Sequence, residues 1–206
     1  SRVWARWLEW MDQTTDPRPL AMVRIAVPLC ILFDLARLAQ LGLLRPVFTP
    51  FDRGGLNRIQ SPHAVMWDWF GDDGAWIALT VTAVCMVLIA TGRWMRPAIV
   101  VGVLAYAQVG HMFPPGDRAI DRLLRTVLLV LLFSRANGAF AWGADRMRRV
   151  PAWPVHFLRL FLALVYTSAG IAKLIQQPGW LSLSADPPLV RILIDPMAGT
   201  LDPAFW

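Results

Sequence analysis

Lysine, glutamate and cysteine are close to absent from this sequence. Lys173 is its single lysine, Glu9 its single glutamate, and Cys30 and Cys85 its two cysteines. Two cysteines inside apolar stretches give neither a disulfide framework nor the spacing of a zinc site, and each reads as a small buried hydrophobe. Charge is scarce as well. Charged residues make up 17% of the 206 positions against 56% hydrophobic, and mean hydropathy is +0.47. Soluble domains carry about 25% charge, so this composition excludes an ordinary water-soluble globule. So apolar a chain is not a disordered one either. Its three histidines, His63, His111 and His156, are scattered without metal-ligand spacing. There is no Ser/His/Asp order, no phosphate-binding loop and no pair of carboxylates at glycosidase-like positions.

The charge that remains is lopsided. Lys+Arg is 20 against 14 Asp+Glu, a net +6, and all the cations but Lys173 are arginines. No basic run interleaved with aromatics appears, which argues against a nucleic-acid partner. In a chain of this hydropathy the excess has a simpler cause: arginines collect in cytoplasmic loops and hold the orientation of membrane spans.

Along the chain, residues 1–16 begin with Trp4, Trp7, Leu8 and Met11 on one helical face and Arg2, Arg6 and Glu9 largely opposite, the pattern of an interfacial amphipathic helix. Five spans are expected next: Leu20–Leu44, Gly74–Thr91, Ala98 to about Phe113, about Ile120 to Phe133, and His156–Ile175. A hydrocarbon core needs about 20 apolar residues. The fold class is therefore an all-α polytopic transmembrane bundle, with the bilayer as its first partner. The bundle is expected over 17–185, and the proline-bearing stretch 186–206 reads as a loop-like tail cut short of a fuller region. With five spans, nine arginines fall on the N-terminal side and six on the other. That excess puts the N-terminus in the cytoplasm of a cell whose inner membrane holds the chain, and the long Arg45–Asp73 loop outside.

Few side chains could carry chemistry. An ammonium can lose its proton when desolvated and a guanidinium cannot, so a lone Lys173 among arginines is suited to act as a base. Three residues from the end of its span, it equally suits an interfacial lysine reaching for headgroups. His111 ends the third span and fits either a proton carrier or an interfacial residue. Ionisable groups in spans face the interior and pair. Asp34 and Arg37 (i, i+3) and Asp121 and Arg125 (i, i+4) are spaced as structural ion pairs. No metal site is expected.

One stretch resembles a known family. Val165-Tyr166-Thr167-Ser168-Ala169-Gly170-Ile171-Ala172-Lys173-Leu174, followed by Trp180, is similar to the Tyr-x-x-Ala-Gly-x-x-Lys-Leu…Trp signature of vitamin K-dependent gamma-carboxylases and of their bacterial relatives, the horizontally transferred transmembrane domain proteins. Arg24-Ile25 with Asp34 and Arg37, Phe48-Thr49-Pro50-Phe51-Asp52-Arg53-Gly54-Gly55, and Asp121-Arg122-Leu123-Leu124-Arg125 agree in order. The resemblance implies a carboxylase-like bundle, a reduced, vitamin K-like quinone as cofactor, Lys173 as the base that deprotonates it, and His111 as a further catalytic residue. The carboxylases continue into a large soluble region, whereas this sequence stops at Trp206. Two function classes therefore stay open: a quinone or lipid-ligand site based on Lys173, and a non-catalytic accessory subunit of a larger respiratory, photosynthetic or transport complex.

Overall fold

The structure is a computed structural model that describes residues 2–51, 54–56, 63–71, 73–114, 117–142 and 148–176. The expected tail at 186–206 lies outside them. Eight helices are described: α1 (Arg2–Met11), α2 (Arg18–Gln40), α3 (Leu44–Phe48), α4 (Val65–Phe70), α5 (Asp73–Thr91), α6 (Met95–Met112), α7 (Ala119–Phe133) and α8 (Trp153–Gln176). The chain divides into two units, 1–158 and 159–206, which are described separately.

The first unit is built on α2, α5, α6 and α7. The α5–α6 pair packs most extensively, α2 lies against α5 and α7, and α6 lies against α7. Small residues let neighbouring helices approach closely. Gly102 on α6 shows how: a Cβ there would stand 2.9 Å from the Cys85 Cβ on α5. Around this contact Ile31, Met86, Ile89, Ile99, Met112, Leu128 and Leu131 are fully buried. Cys85 is buried too, but Cys30 is exposed on α2, against the expectation for both cysteines; its side chain points outward from the four-helix core.

Two short strands tie down the region after α1. β1 (Thr14–Thr15) pairs antiparallel with β2 (Val150–Pro151), with Thr14 opposite Pro151 and Thr15 opposite Val150. The Ala152 N–H donates to the Gln13 carbonyl at 2.7 Å, and the Trp10 ring stacks on His156 at 3.9 Å. Trp4, Trp7 and Leu8 remain exposed.

Three helices, α2, α5 and α8, are long and apolar enough to cross a membrane. α7, with 15 residues, rises only about 22 Å, short of a hydrocarbon core of about 30 Å. α6 carries Arg96, Gln108 and His111 within its 18 residues. The first helix also stops sooner than its hydropathy suggests: α2 ends at Gln40, and Gly42 at φ +68° turns the chain into α3. The Arg45–Asp73 stretch, expected as a loop, holds α4 and most of α3. In the second unit, the described residues continue α8 to Gln176.

Candidate functional site

The polar centre of the first unit forms where α7 begins. Arg118 precedes the helix in an extended conformation, and its backbone N–H donates to the Asp121 carboxylate at 2.9 Å. This is the usual service of an acidic side chain in the first helical turn, satisfying a donor that has no partner within the helix. The Arg118 side chain then folds back on the same carboxylate, with Nε at 3.1 Å and Nη2 at 3.3 Å. Its Nη2 also reaches Asp34 on α2. From α6, the Tyr106 hydroxyl donates to Asp121 at 2.6 Å. The Arg118 guanidinium thus joins α2 to α7, and the Asp121 carboxylate adds α6. Hydrogen bonds donated to Asp121 and then to Asp34 make Arg118 hold its proton even more firmly than arginine ordinarily does.

A second acid, Asp117, accepts from Arg122 Nε at 3.1 Å and pairs with Arg125. Gly110 makes room for it, since a Cβ there would lie 2.8 Å from an Asp117 carboxylate oxygen. The Arg125 guanidinium stands 5.7 Å from the centre of the Tyr106 ring, which links the two clusters.

These groups form one edge of a cavity of about 320 Å³. Its apolar wall is Ile31, Leu35 and Leu38 from α2, Val47 and Phe48 from α3, and Val109 and Phe113 at the end of α6. Its polar edge is Asp34, Arg37, Tyr106, Asp117, Arg118 and Asp121. An apolar wall with a few convergent polar groups is the usual make-up of a small-molecule site. Arg37 differs from its neighbours on this edge because it forms no ion pair among the described residues.

The structure therefore uses the expected charged residues but pairs them otherwise. Asp34 meets Arg118 rather than Arg37, and Asp121 meets Arg118 rather than Arg125, which turns to Asp117. Spacing along one helix favours i, i+3 and i, i+4 pairs by only a few tenths of a kcal/mol, about 0.2–0.5. That small preference is outweighed by Arg118, placed just before α7 where it meets Asp121 at i, i+3 and also reaches Asp34 on α2. Tyr106, Asp117 and Arg118 were not singled out by the sequence. The available signal was the Asp117-Arg118 pair just ahead of Asp121, where a helix start needs capping.

His111 lies near the end of α6, and His63 packs against it edge-on with ring centroids 5.6 Å apart. Histidines distant in sequence thus become neighbours. Among the described residues no group of three His, Cys, Asp or Glu could hold a metal. His156 has both ring nitrogens buried without a hydrogen-bond partner among the described residues. Lys173 stands in the last turn of α8, in the second unit.

No family model, curated protein or solved structure matches this chain. What the site can do is carried by its own geometry. Asp34, Asp117 and Asp121 are each occupied by arginine, and the Tyr106 hydroxyl is engaged. Such an edge is suited to orient a polar head while the apolar wall holds a ring or chain. It holds no carboxylate left over to serve as a base.

Proposed function

We propose that this chain is a polytopic membrane protein whose bundle binds a lipid-soluble ligand with a polar head, of the quinone type. The observation that carries the reading is the cavity of about 320 Å³, with its apolar wall of α2, α3 and α6 side chains and its polar edge at Tyr106 and Arg37. Small-molecule pockets begin at about 300 Å³, so one substituted ring fits. Arg37 is the donor for an oxygen of that ring, since its neighbours are already paired.

In this reading the bundle has five spans, α6 and α7 being carried by packing against α2 and α5. Outward-facing Val100, Val101, Leu104, Leu129 and Phe133 support a lipid-facing surface on both. The exposed Trp4, Trp7 and Leu8 support an α1 lying in the headgroup layer. The N-terminus is cytoplasmic and the membrane is the inner membrane of the cell. The carboxylase-like resemblance separately names Lys173, in the second unit, as a base for a reduced quinone, and His111, in the first, as a further catalytic residue.

The test uses the full chain purified in detergent with a short-chain reduced naphthoquinone. A quinol that loses a proton reacts faster with oxygen, so a base at Lys173 raises oxygen uptake. Lys173→Arg keeps the charge but removes the base, and uptake should fall to the protein-free rate while quinone retention persists. Retention without any stimulated uptake in the unaltered chain would leave the accessory-subunit reading. That second reading is favoured by one observation, that the three aspartates at the cavity edge all end in arginine pairs.

A further inference from the structure

At the opposite end of the first unit, α2 buries a guanidinium that forms no ion pair among the described residues. Arg24 is 0% exposed. Its Nη2 donates to the Phe140 carbonyl at 2.7 Å, and Nε and Nη1 are buried without a partner among the described residues. The group lies directly beneath the α5–α6 turn. A Cβ on Gly92, at φ +78°, would overlap the Arg24 guanidinium and stand 2.6 Å from the Ala141 Cβ. The Trp142 N–H donates to the Thr91 carbonyl at 3.0 Å, so the segment carrying Phe140 and Trp142 is stitched to the same turn.

The surface above Arg24 has an unusual make-up. Trp94, Phe140 and Trp142 are 72%, 63% and 77% exposed. Trp94 and Phe140 are also the only described non-glycine residues in the left-handed region, at φ 50° and 49°. For such residues that conformation is unfavourable. Arg93 and Arg96 are exposed on the same turn and the start of α6. Exposed tryptophans beside arginines, over a buried arginine with no ion pair among the described residues, are suited to the layer where phosphates of an anionic bilayer lie.

We infer that this end of the bundle is a binding site for anionic phospholipid headgroups, with Arg93 and Arg96 taking the phosphate and Trp94 and Trp142 seated at the acyl boundary. Arg24 supplies a fixed positive charge from below, and guanidinium is the cation best matched to phosphate oxygens. The inference rests on the membrane reading proposed above. It goes beyond it in naming one end, one set of residues and one lipid charge.

The experiment is native mass spectrometry of the full chain released from detergent with either phosphatidylglycerol or phosphatidylcholine. Phosphatidylglycerol should be retained preferentially. The exposed double variant Arg93→Gln/Arg96→Gln, which leaves the core untouched, should lower that retention about tenfold, in line with the attraction of each juxtamembrane arginine for an anionic surface. Arg45→Gln, at an exposed position of α3, should leave it unchanged. Equal retention of the two lipids, or undiminished retention by the double variant, overturns the inference. The membrane reading is judged separately: a chain released from cell membranes by alkaline carbonate would defeat that reading, whichever lipid the chain retains.

Discussion

Two arginines on the first unit illustrate opposite ways of keeping a cation in an apolar bundle. Arg118 is drawn in by two carboxylates and a helix start, and its side chain stays 55% exposed. Arg24 is fully buried, and among the described residues it has one carbonyl as partner and two nitrogens without one. Ten residues of α2 separate Arg24 from Asp34, a rise of about 15 Å. One end of the unit pairs each of its three aspartates with arginine beside a cavity and keeps Arg37 outside those pairs. The other buries Arg24 and surrounds it with exposed aromatics and arginines. An end whose acids are all paired can orient a neutral, lipid-soluble ligand through Arg37, while a buried cation beneath exposed arginines calls for an anion.

The largest effect expected from breaking this contrast is at Asp121. Asp121→Ala strands the Tyr106 hydroxyl and leaves Arg118 with Asp34 alone. Removing one partner of a buried pair costs about 3–5 kcal/mol, and the exposure of Arg118 brings the expectation to roughly 2–3 kcal/mol. Thermal unfolding in detergent should show a clear drop in Tm.

Gly92→Ala should come next, at about 2 kcal/mol, because a left-handed backbone and the Arg24 guanidinium both resist a Cβ. Pairing it with Arg24→Met removes the overlap but not the backbone strain. The double variant should therefore recover part of the loss in the same unfolding measurement, and additive losses would show that Arg24 and Gly92 do not press on each other.

Tyr106→Phe removes one hydrogen bond to a carboxylate that keeps its Arg118 contacts. A loss of about 1–2 kcal/mol is expected, with no change in secondary structure by circular dichroism. Arg24→Met alone should be the mildest, within about 1 kcal/mol of the original chain or slightly stabilising, because an apolar side chain of similar volume replaces an unpaired buried charge. A Tm loss for Arg24→Met as large as that for Asp121→Ala would mean that Arg24 is held by more than one carbonyl, and the contrast between the two ends would fail.

Much of the helix layout was legible from composition and punctuation. The expected stretch Gly74–Thr91 became α5, Asp73–Thr91, and the stretch from about Ile120 to Phe133 became α7, Ala119–Phe133. Turn-forming residues such as Gly92 and Pro114 bound these runs, and unbroken hydropathy fills them. Two short helices inside 45–73 were missed, because five or six residues have no periodicity to read. At the candidate site, Asp34, Arg37 and Asp121 were visible as ionisable groups in apolar runs, but their partners were not. The Asp34–Arg118 pair spans 84 residues, and only the packing of α2 against α7 brings it about. Tyr106 was silent for the same reason, since a tyrosine in an apolar helix looks like core until a facing acid is known. The resemblance pointed to Lys173 and His111, whereas the geometry of the first unit points to Tyr106, Arg37 and Arg118 as the polar frame of the cavity.

The central claim is that this cavity is a ligand site and not a packing defect. The most direct measurement is retention of a short-chain quinone by the purified full chain, compared with Leu38→Trp, which fills the cavity from the α2 wall without touching the ion pairs. The account predicts saturable retention by the unaltered chain, lost in Leu38→Trp while Tm is kept. Retention that is equal in the two proteins, or none in either, would contradict it.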